Sequence, residues 1–236
     1  MPRKFYLCSP LLSGGITADL VEIGNNARLL AALAESQVPT DGEPIKQISE
    51  RLSKAAQEEA QLVATLNNKL GARVRKAGGD IDSRGTITLP ESVLFEDGED
   101  KVKDPRFLID FCGPWIETLR NSKLEISDIK IEGHASSEWK DERDPNVAYL
   151  NNLGLSQRRA QNALADCLDG VLSDASLAWA RAHLAAVGYS STRLITHPDG
   201  SEDRERSRRV MFSVSLDRSR LIEGIGRDVS RSDLSP

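Results

Sequence analysis

At "AGGDIDSRGTITLP", Ala77 to Pro90, the hydrophobic period of the chain changes, and that change limits the folds open to it. Before it, Ile45, Ile48, Leu52, Ala55, Ala56, Leu62, Val63, Leu66, Leu70 and Val74 form a stripe at helical spacing. Pro44 suits a first helical position and the glycines after Ala77 suit an end, so a long amphipathic helix is predicted from about residue 44 to 77. After it, β-type runs take turns with amphipathic segments. "GTITLP" is a short strand closed by Pro90. "DPRFLIDFCGPWIETLRNS" is a helix with Asp104 as cap, Pro105 at its first position, and a kink or restart at Pro114. "ISDIKIEGHAS" alternates as a strand. "LSQRRAQNALADCL" reads as a helix opened by Leu155 and Ser156, and "DASLAWARAHLAAVGY" as another that ends at Gly188. "TRLITHPDG" and "RRVMFSVSL" are strand candidates, and "GSEDRERS" between them is a charged loop or short helix. The order strand, helix, strand, helix, helix, strand, strand predicts an α+β domain with helices on one face of a sheet.

The stripe before Ala77 leaves its partner open. Glu59 and Arg73 would land on the seam of a coiled coil, so packing on its own domain or on the first helix and a coiled-coil stalk or dimer element stand equally. The expected organisation is a helical region over 1–78, a mixed domain over 79–217, and a polar, mobile tail over 218–236. A further helix is expected from about Thr17 to Glu35, followed by the linker "SQVPTDGEP".

Composition excludes more than it assigns. The formal net charge is −5, so nothing draws the chain to nucleic acid or to anionic lipid in general. No stretch is apolar enough to span a bilayer. The start, "MPRKFYLCSPLLSGGITA", has basic residues before a mildly apolar run, a faint export signal that Pro10 and the glycines weaken. Cysteines number three, an odd count that is no disulfide framework. Cys112 and Cys167 fall in helical patterns, either as buried thiols or as a bridge if their helices pack side by side in an oxidising compartment. His183 and His197 show no metal-ligand spacing, and "DGSED" is too short for a calcium loop. There is no nucleophile motif, phosphate loop or dinucleotide fingerprint. The chain is read as a non-enzyme without cofactor or metal.

The chemistry gathers at Arg158 and Arg159. If Ser156 caps the helix, two guanidinium groups stand at the end that favours anions. Free backbone N–H groups and one arginine would then make a carboxylate site, with Asn152 just ahead and Leu155 against the ligand's aliphatic stem. The two arginines differ by about 100° around the helix, so one faces the site. The competing reading is a structural ion pair with a nearby acid.

"TLPESVLFEDGED", "IKIEGHAS", "NNLGLSQRRAQNAL", "AAVGYSSTRLI" and "DRERSRRVMFSV" occur here in the order of the OmpA-like peptidoglycan-binding domain, a family that includes the periplasmic part of flagellar stator B subunits. The resemblance covers about Gly79 to Leu216. It implies a βαβαβ-type sandwich, helices on one face of a mixed sheet, preceded by the helical N-terminal region. It also implies a periplasmic or envelope module that anchors an assembly to the cell wall by binding the peptidoglycan stem peptide. Arg159 would take the carboxylate of a diaminopimelate or comparable residue. Asn152, Leu155, Ser136, His134 and Arg208 would complete the site; the alternative is a structural hydrogen bond for His134, and ion pairs bracing the fold for Arg204, Arg208 and Arg209. The sequence departs from the family at Ser136, which stands where an aspartate would take the ligand's ammonium; Glu138, Asp141, Glu142 and Asp144 are nearby acids able to lend a carboxylate. The N-terminal helices would form a homodimer or dock on a helical partner protein. The alternative is that the fold serves as a protein-interaction module without wall binding, in the cytoplasm.

Overall fold

The computed structural model describes residues 43–122 and 124–232. The helix expected near 17–35, the signal-like start and Cys8 lie outside them. Helix α1 (Glu43–Lys76) leads into β1 (Asp80–Ile81), β2 (Ile87–Pro90), the single turn α2 (Glu91–Leu94) and helix α3 (Pro105–Arg120). Then come β3 (Ile126–His134), α4 (Pro145–Asp169), α5 (Asp174–His183), β4 (Leu184–Gly188), α6 (Arg204–Ser207), β5 (Arg209–Leu216) and α7 (Ser219–Ser232). The sheet runs β1-β2-β5-β3-β4, with β3 and β4 parallel and the other pairs antiparallel. It is the α+β class expected, a mixed sheet with helices on one face.

Strand alternation makes that face apolar. Ile87, Leu89, Ile129, Ile131, Val210 and Phe212 are buried on it, while Thr88, Lys130, Met211 and Ser213 point the other way and are half-buried. Phe111 and Trp115 of α3 meet Phe212 edge-on, with ring centroids 4.9 and 5.4 Å away. The α3 helix has Asp104 as its cap and runs through Pro114 without the predicted restart.

The open question about α1 resolves toward its own domain for its second half. Leu62, Leu66, Leu70 and Val74, each one turn on, are buried in the common core. The helix ends in a reciprocal pair of hydrogen bonds, Gly79 N–H to Val74 O and Gly78 N–H to Arg75 O, with Gly78 at φ 76°. Glu59, an apparent fault in the stripe, accepts from Arg218 at 2.9 Å. Burial pushes its carboxyl up, and Arg218 pulls it partly back. The tail predicted to be mobile is helical in its described part. Arg218 meets Glu59 and Gly224 lies by Arg51, so α7 runs antiparallel along α1.

Two other expectations fail on the same strip of chain. "DASLAWARAHLAAVGY" does not stay helical to Gly188: after His183 it becomes β4, paired in parallel with β3 from Ile129–Leu184 to Gly133–Gly188. Tertiary pairing overrides the helical propensity of alanine here. "TRLITHPDG" forms no strand and makes only the isolated bridge Thr196–Glu202.

Helix α4 lies very close over β3 and β4. A Cβ on Gly133 would fall on the carbonyl of Ser156, and one on Gly188 on the backbone of Gln157. Gln157 also covers the outer edge of β4: its carboxamide accepts from Gly188 N–H at 2.8 Å and donates to Ala186 O at 3.3 Å, as a neighbouring strand would. Gly133→Ala should therefore lower stability by about 1–3 kcal/mol or more, because helix and strand must separate. A denaturant midpoint equal to that of the unsubstituted protein would contradict this packing.

Candidate functional site

Helix α4 does not open where the motif suggested. Asp144 is the cap, accepting from Asn146 N–H at 2.8 Å, and Pro145 follows it. Leu155 and Ser156 are mid-helix. Arg159 stands roughly 21 Å along the axis from the helix start, at about 1.5 Å per residue, and the macrodipole is felt only in the first turn. The anion site at a helix mouth is thereby corrected. Ser156 is no cap; its hydroxyl donates to Leu153 O and accepts from Ser190 N–H.

The two arginines have partners within the protein. Arg159 is 4% exposed. Its Nε donates to Glu99 O at 2.6 Å and its Nη2 to Glu96 O at 3.2 Å. Its Nη1 lies 2.7 Å from Glu91 Oε2, a close charge contact in which the N–H does not point squarely at the oxygen. Its guanidinium also sits 5.2 Å from the Phe95 ring centroid. Arg158 reaches Asp100 Oδ2 at 2.6 Å, and Asn162 donates to Asp100 O at 2.9 Å. One face of α4 thus pins the "EDGED" loop, Glu96–Asp100. Arg159, expected to grip a ligand, is a clamp in this structure, because a buried guanidinium must be paired and the loop carbonyls and Glu91 pair it. Burial pushes the Glu91 carboxyl up; Arg159 and Arg208 counter it.

The predicted residues still converge on one corner, His134 excepted. Asn152, Leu155 and Arg159 are buried on one face of α4. Asn152 Nδ2 donates to Ser136 O at 3.1 Å and to Glu138 O at 2.9 Å, tying the end of β3 to the helix. Glu138 meets Arg208 at 3.5 Å and Arg204 at 3.0 Å. Arg208 O accepts from Glu91 N–H, which returns the circuit to Arg159. Ser136 is buried, so its backbone, not a counter-charge, is what it brings. The acid at the rim is Glu138, half-exposed, and Arg208 is its accessible neighbour.

His134 belongs elsewhere. Gly133 faces α4, so His134 faces the opposite side of the sheet. There its Nε2 lies 3.3 Å from Glu132 Oε2, off the hydrogen-bond line, and its ring stacks on Tyr189 at 5.1 Å. Arg193 caps the stack, 3.9 Å above the Tyr189 ring and 3.3 Å from Glu132. Burial holds the imidazole below its ordinary value, with Glu132 only partly offsetting. Burial also pushes the Glu132 carboxyl up, but His134, Ser213 and Arg193 outweigh it and hold it low. The sign follows: the unfolded chain takes up a proton near pH ~6.5 that folded His134 refuses, so stability falls as pH drops below that value. Urea midpoints between about pH 7 and 5 should decline less in His134→Gln; parallel curves would contradict the assignment.

Among the described residues no group of acids, histidines and cysteines is placed to hold a metal, and no helix is long and apolar enough to cross a membrane.

No family model matches the chain. The Zorya protein ZorB of Escherichia coli is 39% identical over 125 residues, a stretch covering 52% of this chain and 53% of ZorB. The chain thus spans about half the length of that relative. Among solved structures, the cell wall anchor of the T6SS from Pseudomonas aeruginosa is 22% identical, covering 67% of this chain and 99% of its own, with a TM-score of 0.43. The periplasmic domain of Helicobacter pylori MotB is 16% identical, covering 64% and 87%, with a TM-score of 0.42. A putative MotB-like protein from Desulfovibrio vulgaris is 20% identical, covering 69% and 96%, with a TM-score of 0.45.

Proposed function

We propose that the domain is a non-catalytic module that anchors an envelope assembly to the cell wall, in the periplasm, by holding the peptidoglycan stem peptide. The observation that carries this reading is the corner itself. Residues scattered between Glu91 and Arg208 by sequence meet there, at the positions where the OmpA-like motifs lie. The core bridge between Cys112 and Cys167 supports an oxidising compartment. With Arg159 engaged, ligand contact falls on the rim, on Arg204 and Arg208. Dimerisation, or docking on a helical partner, would use the side of the first half of α1 that α7 leaves exposed.

A specific observation favours the second reading, an interaction module without wall binding: the arginine that would grip the ligand is buried and engaged by Glu91, Glu96 O and Glu99 O inside the fold, and no aspartate stands at Ser136. Co-sedimentation with purified sacculi separates the two. Retention that free stem peptide competes away, and that glycan strands lacking peptide do not, is the expected result. A protein that stays in the supernatant belongs to the second reading.

A further inference from the structure

Arg204 and Arg208 lie one turn apart, at the start of α6 and just past its end. Each takes a different oxygen of one carboxylate: Arg204 Nη1 is 3.0 Å from Glu138 Oε2, and Arg208 Nη1 is 3.5 Å from Glu138 Oε1. Two guanidinium groups sharing the two oxygens of one carboxylate is the geometry by which arginines receive a carboxylate from outside. Here the occupant is the protein's own. The surrounding backbone is pinned on both sides. Glu138 O is held by Asn152 Nδ2, Ser137 N–H by Glu202, and Arg208 O by Glu91 N–H. The three charged side chains, by contrast, are at least a third exposed, and Arg204 also stands 4.0 Å from Glu202 Oε2.

We propose that Glu138 is an internal latch on this site: in the free protein it fills the arginine pair, and a ligand carboxylate enters by displacing it. This rests on the rim as the contact surface proposed above. Glu138 swings to solvent, the ligand carboxylate takes its two guanidinium partners, and no covalent bond changes. The displaced pairs are exposed, hence weak and salt-screened, so the latch lowers affinity without closing the site.

The test is a titration of the full chain with acetate at low salt, followed on the arginine side-chain N–H signals by NMR, beside sacculus co-sedimentation. Glu138→Gln removes the charge and keeps the shape. It should tighten acetate binding about threefold to tenfold, and adding Arg208→Ala should abolish the gain. Equal acetate affinity in the unsubstituted protein and Glu138→Gln overturns the latch, as does a gain that survives Arg208→Ala. A gain in acetate affinity with no sacculus retention by any variant upholds the latch and sinks the wall-binding reading instead. Increased retention of Glu138→Gln on sacculi upholds both.

Discussion

Arg159→Met should cost about 3–5 kcal/mol of folding stability and lower the melting temperature by roughly 6–20 °C for a chain of this size. The substitution leaves Glu91, with 8% of its side chain exposed, without its guanidinium partner, takes the Arg159 donor from Glu99 O, and leaves Glu96 O with the Glu99 N–H. An unpaired buried carboxylate costs far more than the pair contributes, so the double variant Glu91→Leu, Arg159→Met should recover most of the loss. Urea denaturation of the four proteins of that cycle gives the coupling. If Arg159→Met unfolds within about 1 kcal/mol of the unsubstituted protein, the buried pair is not the clamp described. Loss of wall binding by an Arg159 variant alone would not separate a ligand contact from an unfolded domain.

The second large effect concerns the covalent tie between α3 and α4. Cys112 and Cys167 are fully buried and bridged across a sequence separation of 55. Closing a loop of that length removes chain entropy from the unfolded state worth about 4 kcal/mol. Cys112→Ala, Cys167→Ala should lower the unfolding free energy by an amount near this and shift the denaturant midpoint down accordingly. Reduction of the native protein should produce the same midpoint, and slowly, since the sulfurs are reached only as the core opens. Identical midpoints for oxidised and reduced protein would remove both the tie and the inference of an oxidising compartment.

Much of the fold was legible where local signals and tertiary structure agree. Asp104–Pro105 announced α3, and the alternation through Ile129 and Ile131 announced β3. The same Asp–Pro signal stands at Asp144–Pro145, ahead of the Leu155–Ser156 start to which the arginine pair points. An anion at a helix mouth would explain Arg158 and Arg159 in a first turn, but the capping signal at Asp144 decides where the helix begins. Strand β4 was hidden because Leu184, Ala185 and Ala186 continue the helical pattern; only pairing with β3, remote in sequence, makes them extended. At the site, the grouping of Asn152, Leu155, Arg159, Ser136 and Arg208 could be foreseen from motif order. What occupies Arg159 could not: Glu91 and the loop carbonyls come from a segment some sixty residues earlier. Glu138 was visible as one of four acids, but its choice depends on where the loop places it against Arg204 and Arg208.

The division between clamp and rim is tested most directly by one sedimentation series on purified sacculi. It compares the unsubstituted chain with Glu91→Leu, Arg159→Met and with Arg204→Ala, Arg208→Ala, each shown to be folded by its denaturation curve. Retention of the first double variant together with loss of the second is the predicted result. Loss of the folded Glu91→Leu, Arg159→Met protein, with full retention of the rim variant, would make Arg159 the ligand contact and contradict the account.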